Sequence, residues 1–140
     1  MQILTREEYH IRKWNKKIYW KEDCPFCIDI ESIWKWKYWK LIWNISPYSW
    51  NKDHIMAVPI AHKKYSIDLS DEEFLELKKV HEEVKKYFWE KKYFSCTRES
   101  LANRSVEHLH IHFIPGKLQG KFLRKMLELQ WFPIKQDLKI

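Results

Sequence analysis

The sequence predicts an α+β domain built on an antiparallel sheet, and three stretches carry that prediction. Residues 108–114 read His-Leu-His-Ile-His-Phe-Ile, an alternation with the two-residue period of a half-buried strand. Ser70 opens a helical pattern with Glu73 completing a capping box and Asp71 and Glu72 in the favourable first turn. Ahead of it, Ile33 to Ile60 is rich in aromatic and branched residues that suit strands. Strands, one long helix, then more strands is the order of an α+β domain.

Each element follows from local chemistry. Thr5 and Glu8 have capping-box spacing, so a first helix is expected through Lys17. Ile33 to Ile45 alternates at Trp34, Trp36 and Tyr38 and again from Leu41, which predicts two short strands or a hairpin with lysines on the wet face. Ser46-Pro47-Tyr48-Ser49 breaks it. His54 to Ile60 reads as a strand ending near Pro59. On the long helix Phe74, Leu77, Val80, Val84, Tyr87 and Phe88 form the apolar stripe, and His81 is read as structural. Phe94 to Thr97 is a further strand, and Arg98 to Asn103 a polar loop feeding the histidines. From Lys121 onward Phe122, Leu123, Met126, Leu127 and Trp131 give an amphipathic C-terminal helix that would cover the sheet or a partner subunit.

The histidine stretch carries the chemistry. In a strand, His108, His110 and His112 would line one face at intervals of roughly 7 Å, with Leu109, Ile111 and Phe113 buried behind them. Imidazole titrates near neutrality, ligates metals and can act as nucleophile or general acid. A plain solvent-facing strand would account for two alternating histidines better than for three, closed by Pro115-Gly116.

Composition narrows the function classes. At 140 residues and 45% apolar content the chain can bury a sizeable core as one domain over residues 1–140. No apolar run is long enough for a membrane helix, and the N-terminus lacks a secretory layout, so no membrane association and a cytoplasmic location are expected. The net charge of +7 favours anionic ligands, but lysines are scattered through every segment and mark no local nucleic-acid patch. Two glycines leave no Gly-rich phosphate loop. Three cysteines suggest no disulfide framework. Cys96 reads as a small buried residue, whereas Cys24-Pro25-Phe26-Cys27 is a pair with metal-ligand or redox spacing.

Taken together, the His-x-His-x-His run, Ser105-Val106 before it, Asn44 to Tyr48, Asp53 to His62 and the Cys24–Cys27 pair resemble the histidine triad superfamily, in the family's order from Cys24 to Pro115. The resemblance implies a five-stranded antiparallel sheet with one long helix plus N- and C-terminal helices, paired into a homodimer. It implies a nucleotide hydrolase or nucleotidyltransferase acting at an α-phosphate, a nucleoside phosphoramidase or dinucleoside polyphosphate hydrolase before a DNA-adenylate hydrolase, with a purine nucleotide as substrate. His110 would be the nucleophile, His112 would contact the phosphate, and Ser105 would serve the leaving group. Asn44 would hold the ribose, with Phe26, Ile28 and Trp43 at the base. Cys24, Cys27, His54 and His108 would bind one structural zinc ion per chain, a Cys₂His₂ set. A binding module without turnover and a protein ligating one ion through all three histidines are the rivals. The family's glycines before the triad are replaced here by Glu99 and Asn103. Asn103 would tolerate the turn, Glu99 would repel a phosphate unless it points away, and Arg104 would compensate by contacting it.

Overall fold

The computed structural model describes residues 24–28, 30–45, 47, 53–100, 106–117, 121 and 125. The expected N-terminal helix lies outside them, as does most of the C-terminal one, although Lys121 and Lys125 have helical backbone. Strands β1 (Trp34–Lys35), β2 (Trp39–Trp43) and β3 (Ile55–Pro59) precede helix α1 (Asp71–Phe88), which is followed by β4 (Tyr93–Cys96) and β5 (Ile111–Pro115). They form a five-stranded sheet in the order β1-β2-β3-β5-β4, with every neighbouring pair antiparallel. Among the described residues no helix is long and apolar enough to cross a membrane.

Side-chain alternation divides the sheet into two working faces. Trp39, Leu41, Ile55, Ala57, Leu109, Ile111 and Phe113 join Val80, Val84 and Phe88 of α1 in the main core. The opposite face carries Ile42, Met56 and Val58, covered by Cys24, Phe26 and Val106 in a second cluster. His112 belongs to this second face, since it stands opposite Met56 in the register while Ile111 stands opposite Ala57.

The helix is built as its sequence dictates. Ser70 Oγ accepts from Glu73 N at 3.2 Å and Glu73 Oε1 accepts from Ser70 N at 2.8 Å, which satisfies two amides that the first turn would leave bare. Three carboxylates in the first turn and Lys85 and Lys86 in the last complement the helix dipole. The apolar stripe closes on the core from Leu77 onward, but Phe74, one turn earlier, stays 48% exposed. His81 packs edge-on against Phe113 with ring centroids 5.5 Å apart, a packing role.

Two polar ties fix α1 across the sheet. Trp39 Nε1 donates to the Glu73 carbonyl at 2.8 Å. Glu76 Oε1 accepts from the backbone amides of Tyr38 at 2.7 Å and Trp39 at 3.1 Å, holding the turn between β1 and β2. Replacing Glu76 by Ala should therefore cost about 2 kcal/mol of unfolding free energy, the scale of hydrogen bonds to a charged acceptor, with part recovered in Glu76→Gln. Urea titration followed by circular dichroism measures it, and an unchanged midpoint for Glu76→Ala would remove this tie from the account.

Candidate active site and metal centre

The histidine ladder forms, with a break that the alternation alone does not disclose. The β3–β5 register pairs Ile55 with Phe113 and Ala57 with Ile111, so one more step would set Leu109 opposite Pro59. Proline has no N–H to give. The Leu109 amide instead donates to the carbonyl of Lys63 at 2.7 Å, and β5 starts at Ile111 rather than at His108. His108 and His110 thus precede the strand, yet Leu109 and Ile111 still face the main core. All three histidines are nearly inaccessible to solvent.

The Pro59 carbonyl, left without a ladder partner from β5, takes His108. His108 Nε2 donates to it at 2.7 Å, which assigns the proton to Nε2 because a carbonyl only accepts. Nδ1 then carries the lone pair. Burial drives the pKa of His108 down to about 4, with the neighbouring His62, His110 and Lys40 pushing the same way against the Pro59 bond. It is a neutral imidazole at physiological pH, the form that binds metal.

That lone pair points into a compact donor set. The Cys24 and Cys27 thiols are held together by a turn in which Cys27 N donates to the Cys24 carbonyl at 3.1 Å. Cys24 Sγ and Cys27 Sγ each lie 3.4 Å from His108 Nδ1, and His62 Nδ1 lies 3.0 Å from Cys27 Sγ and 3.2 Å from His108 Nδ1. All four ligand atoms fall within 4.8 Å of one another. A tetrahedron with bonds of about 2.3 Å to sulfur and about 2.0 Å to nitrogen has edges of roughly 3.3–3.8 Å. The residues therefore fit one zinc ion, in the closed Cys₂His₂ composition of a structural site.

His62 takes the place expected for His54. The reason is length: β3 separates the two histidines, and five residues of strand span roughly 16 Å. His108 lies at the Pro59 end, beside His62, while His54 lies at the other. The Pro59-x-x-His62 spacing just past the strand was the available signal. Among the described residues the donors gathered around one point are Cys24, Cys27, His62 and His108, and of the three triad histidines only His108 belongs to that set.

His110 Nδ1 donates to the carbonyl of His108 at 2.7 Å, so its proton is on Nδ1 and its Nε2 carries the lone pair. Phe26 meets this ring edge-on at 5.2 Å and His108 at 5.8 Å. His112 lies beside His110, ring centroids 4.9 Å apart, with Nδ1 2.8 Å from Nε2 of the fully buried His54. Asn44 reaches the same His54 nitrogen with Nδ2 at 3.3 Å and donates its backbone amide to the His54 carbonyl at 2.9 Å. His54 is thus the support of His112.

The remaining expected residues divide. Asn44 and Phe26 lie on the histidine face, as placed by their contacts. Trp43 does not: it packs against the helix-side core with Trp39 and Leu41, because residues two apart on β2 share a face. Ile42, with Met56 and Val106, supplies the apolar surface there instead. Ile28 is 51% exposed, and its carbonyl accepts from Lys40 Nζ at 3.4 Å. Ser105, Asn103 and Arg104 lie outside the described residues. The exposed Glu99 carboxylate accepts from the Ser66 amide at 3.1 Å. Cys96 stands opposite His112 on β4 and is partly buried, and burial pushes its thiol pKa up.

Two outcomes are expected. His62→Ala should abolish stoichiometric zinc binding, whereas His54→Ala should retain about one ion per chain; metal analysis after dialysis separates the two. In the zinc-free chain, His108 binds its proton near the usual 6.5 when unfolded and only near 4 when folded. Stability should therefore be full above pH 6.5 and fall as pH drops toward 4, because the unfolded chain takes up the proton first. Denaturant midpoints of wild type and His108→Gln across this window measure it, and parallel curves would assign the fall to other groups.

No protein-family model matches the sequence, and no curated protein matches it by sequence. Solved structures do. A hypothetical protein from Leishmania major aligns with a TM-score of 0.63 at 18% identity, over 70% of this chain and 76% of that one. A zinc-bound histidine triad family protein from Mycobacterium smegmatis aligns at 0.59 and 19%, over 74% and 81%. A HIT family hydrolase from Clostridium thermocellum aligns at 0.58 and 22%, over 71% and 95%. The antiparallel sheet, its single long helix and these alignments agree: the chain has the histidine triad fold.

Proposed function

We propose that this protein is a nucleotide hydrolase or nucleotidyltransferase that works at an α-phosphate through His110. The observation that carries the reading is the bond from His110 Nδ1 to the His108 carbonyl, which commits the proton of the neutral ring to one nitrogen and leaves the lone pair of the other for nucleophilic attack. His110 Nε2 forms a bond to phosphorus, the bond to the leaving group breaks, and a nucleotidyl-histidine remains. Water, or a second acceptor, then attacks phosphorus, and the electron pair of the P–N bond returns to Nε2. As charge passes onto the phosphate oxygens, His112 lies beside His110 with its Nδ1 against His54, and as an imidazolium it would donate from Nε2.

Zinc in the Cys24, Cys27, His62 and His108 set would supply no step; it would hold His108, whose carbonyl orients the nucleophile. Asn44, bonded to His54, is the candidate for the ribose, and Phe26, edge-on to the His110 ring, is the candidate for the base of a purine nucleotide. A small chain of 140 residues favours a nucleoside phosphoramidase or dinucleoside polyphosphate hydrolase over the larger branches. Glu99 directed onto Ser66 removes one objection to turnover, because its charge is not offered to the phosphate. A homodimer is the assembly we favour: the outer edge of β4 has no strand partner among the described residues, and beside it runs a groove lined by His81, Lys85 and a 76% exposed Trp89.

Incubation with nucleoside phosphoramidates, dinucleoside polyphosphates and adenylated DNA, read by mass spectrometry, tests the reading. Wild type should release nucleoside monophosphate and His110→Asn should fall by at least about 10³-fold. Stable nucleotide binding without product from any substrate would replace the enzyme by a binding module.

A further inference from the structure

The alternation of the β1–β2 hairpin sends its lysines to a wet face, and Lys35 and Lys37 are exposed as expected, but Lys40 is only 7% exposed. It lies inside the sheet, paired with Val58 of β3 on one side and with Lys35 of β1 on the other. Its row is the histidine-side face, where Val58, Ile42 and Met56 meet Cys24, Phe26 and Val106. Burying an ammonium there is costly, and Lys35 directly opposite adds like-charge repulsion. Stability alone would favour an aliphatic residue. What the lysine does reach is the carbonyl of Ile28, to which its Nζ donates at 3.4 Å. That carbonyl ends the cysteine turn, in which the Cys24 carbonyl accepts from Cys27 N at 3.1 Å and from Ile28 N at 3.4 Å. Lys40 ties the turn to β2 beside Trp39, which pairs with Pro59, the residue whose carbonyl holds His108. The thiols and His108 are thus fastened to neighbouring points of one strand pair.

We infer that Lys40 is a positioning residue for the metal centre, the latch that keeps the Cys24–Ile28 turn, and with it both thiols, in place beside His62 and His108. This rests on zinc occupying those four donors. The turn's own two hydrogen bonds fix its shape but not where it lies on the sheet. Cys24 and Phe26 press it down through apolar contacts, which resist separation but have no direction. A charged donor on a carbonyl does have direction, and it selects one position. The ammonium bears on His108 as well: burial chiefly keeps that ring neutral, and the Lys40 charge acts in the same sense. Ligands gathered before the ion arrives need less ordering on binding, so the latch should be read in zinc affinity. It needs no turnover to be detected.

Competition of the zinc-loaded full chain against a chromogenic chelator tests it. Lys40→Met, similar in length but apolar, should weaken zinc binding roughly tenfold, the scale of one hydrogen bond from a charged group. Lys40→Arg keeps a charged donor and should restore most of the affinity. Val58→Ala thins the same packing from the facing strand without touching the latch, and should stay close to wild type. Hydrogen exchange at saturating zinc gives a second readout: Lys40→Met should speed exchange of the Cys27 and Ile28 amides and leave that of Met56 unchanged. Equal zinc affinity in Lys40→Met and wild type overturns the inference. So does an equal loss in Lys40→Met and Val58→Ala, which would make the effect one of packing. A wild type that holds no zinc would overturn the metal centre and the latch together. Melting curves at saturating zinc guard against a folding defect: a loss restored by Arg at equal stability belongs to the latch.

Discussion

The hydrogen bond from His108 to the carbonyl of Pro59 governs the candidate site. Proline ends the ladder between β3 and β5 because it cannot donate, and so frees a carbonyl at the position where the first histidine arrives. That carbonyl selects the tautomer of His108 and turns its other nitrogen toward the two thiols and His62. The backbone of the same residue accepts from His110 and selects its tautomer in turn. One missing N–H thus propagates through two imidazoles, and both assignments follow from carbonyls that can only accept.

Much of this was legible in the residues, and the errors have physical causes. The capping box at Ser70, the strand before Pro59 and the hairpin of tryptophans are local features, settled by neighbours three or four positions away, and each forms. Periodicity also placed Leu109, Ile111 and Phe113 behind the histidines. The choice between His54 and His62 is different, because both flank one strand and, beyond the Pro59-x-x-His62 spacing, the sheet register decides which end meets His108. Trp43 was misplaced for a reason the sequence did contain: it shares parity with Trp39 and Leu41, whereas Ile42 shares parity with Lys40 and Asn44. Glu99 could not be read at all, since its partner Ser66 is far away in sequence and contacts it through a backbone amide.

The two faces of the sheet solve different problems with one strand. Behind β5 an apolar core packs against α1, and in front of it His54 and His112 lie buried in direct contact with each other. Such a buried pair is favourable when the imidazoles hydrogen-bond and unfavourable when both are charged. The front face holds its rings by that hydrogen bond, while the back face supplies the rigidity that keeps them in place.

The donor set also has a topological meaning. Cys24 and His108 are 84 residues apart, and His62 lies between them. Bringing such distant points together costs a flexible chain about 4 kcal/mol of loop-closure entropy. A metal bridging them acts as a clasp on the whole sequence from the first cysteine to the start of β5, enclosing β1 through β4 and α1 in its loop. The clasp cannot shut until those strands have found their register, so tight metal capture is an outcome of folding and reports that the chain has finished it.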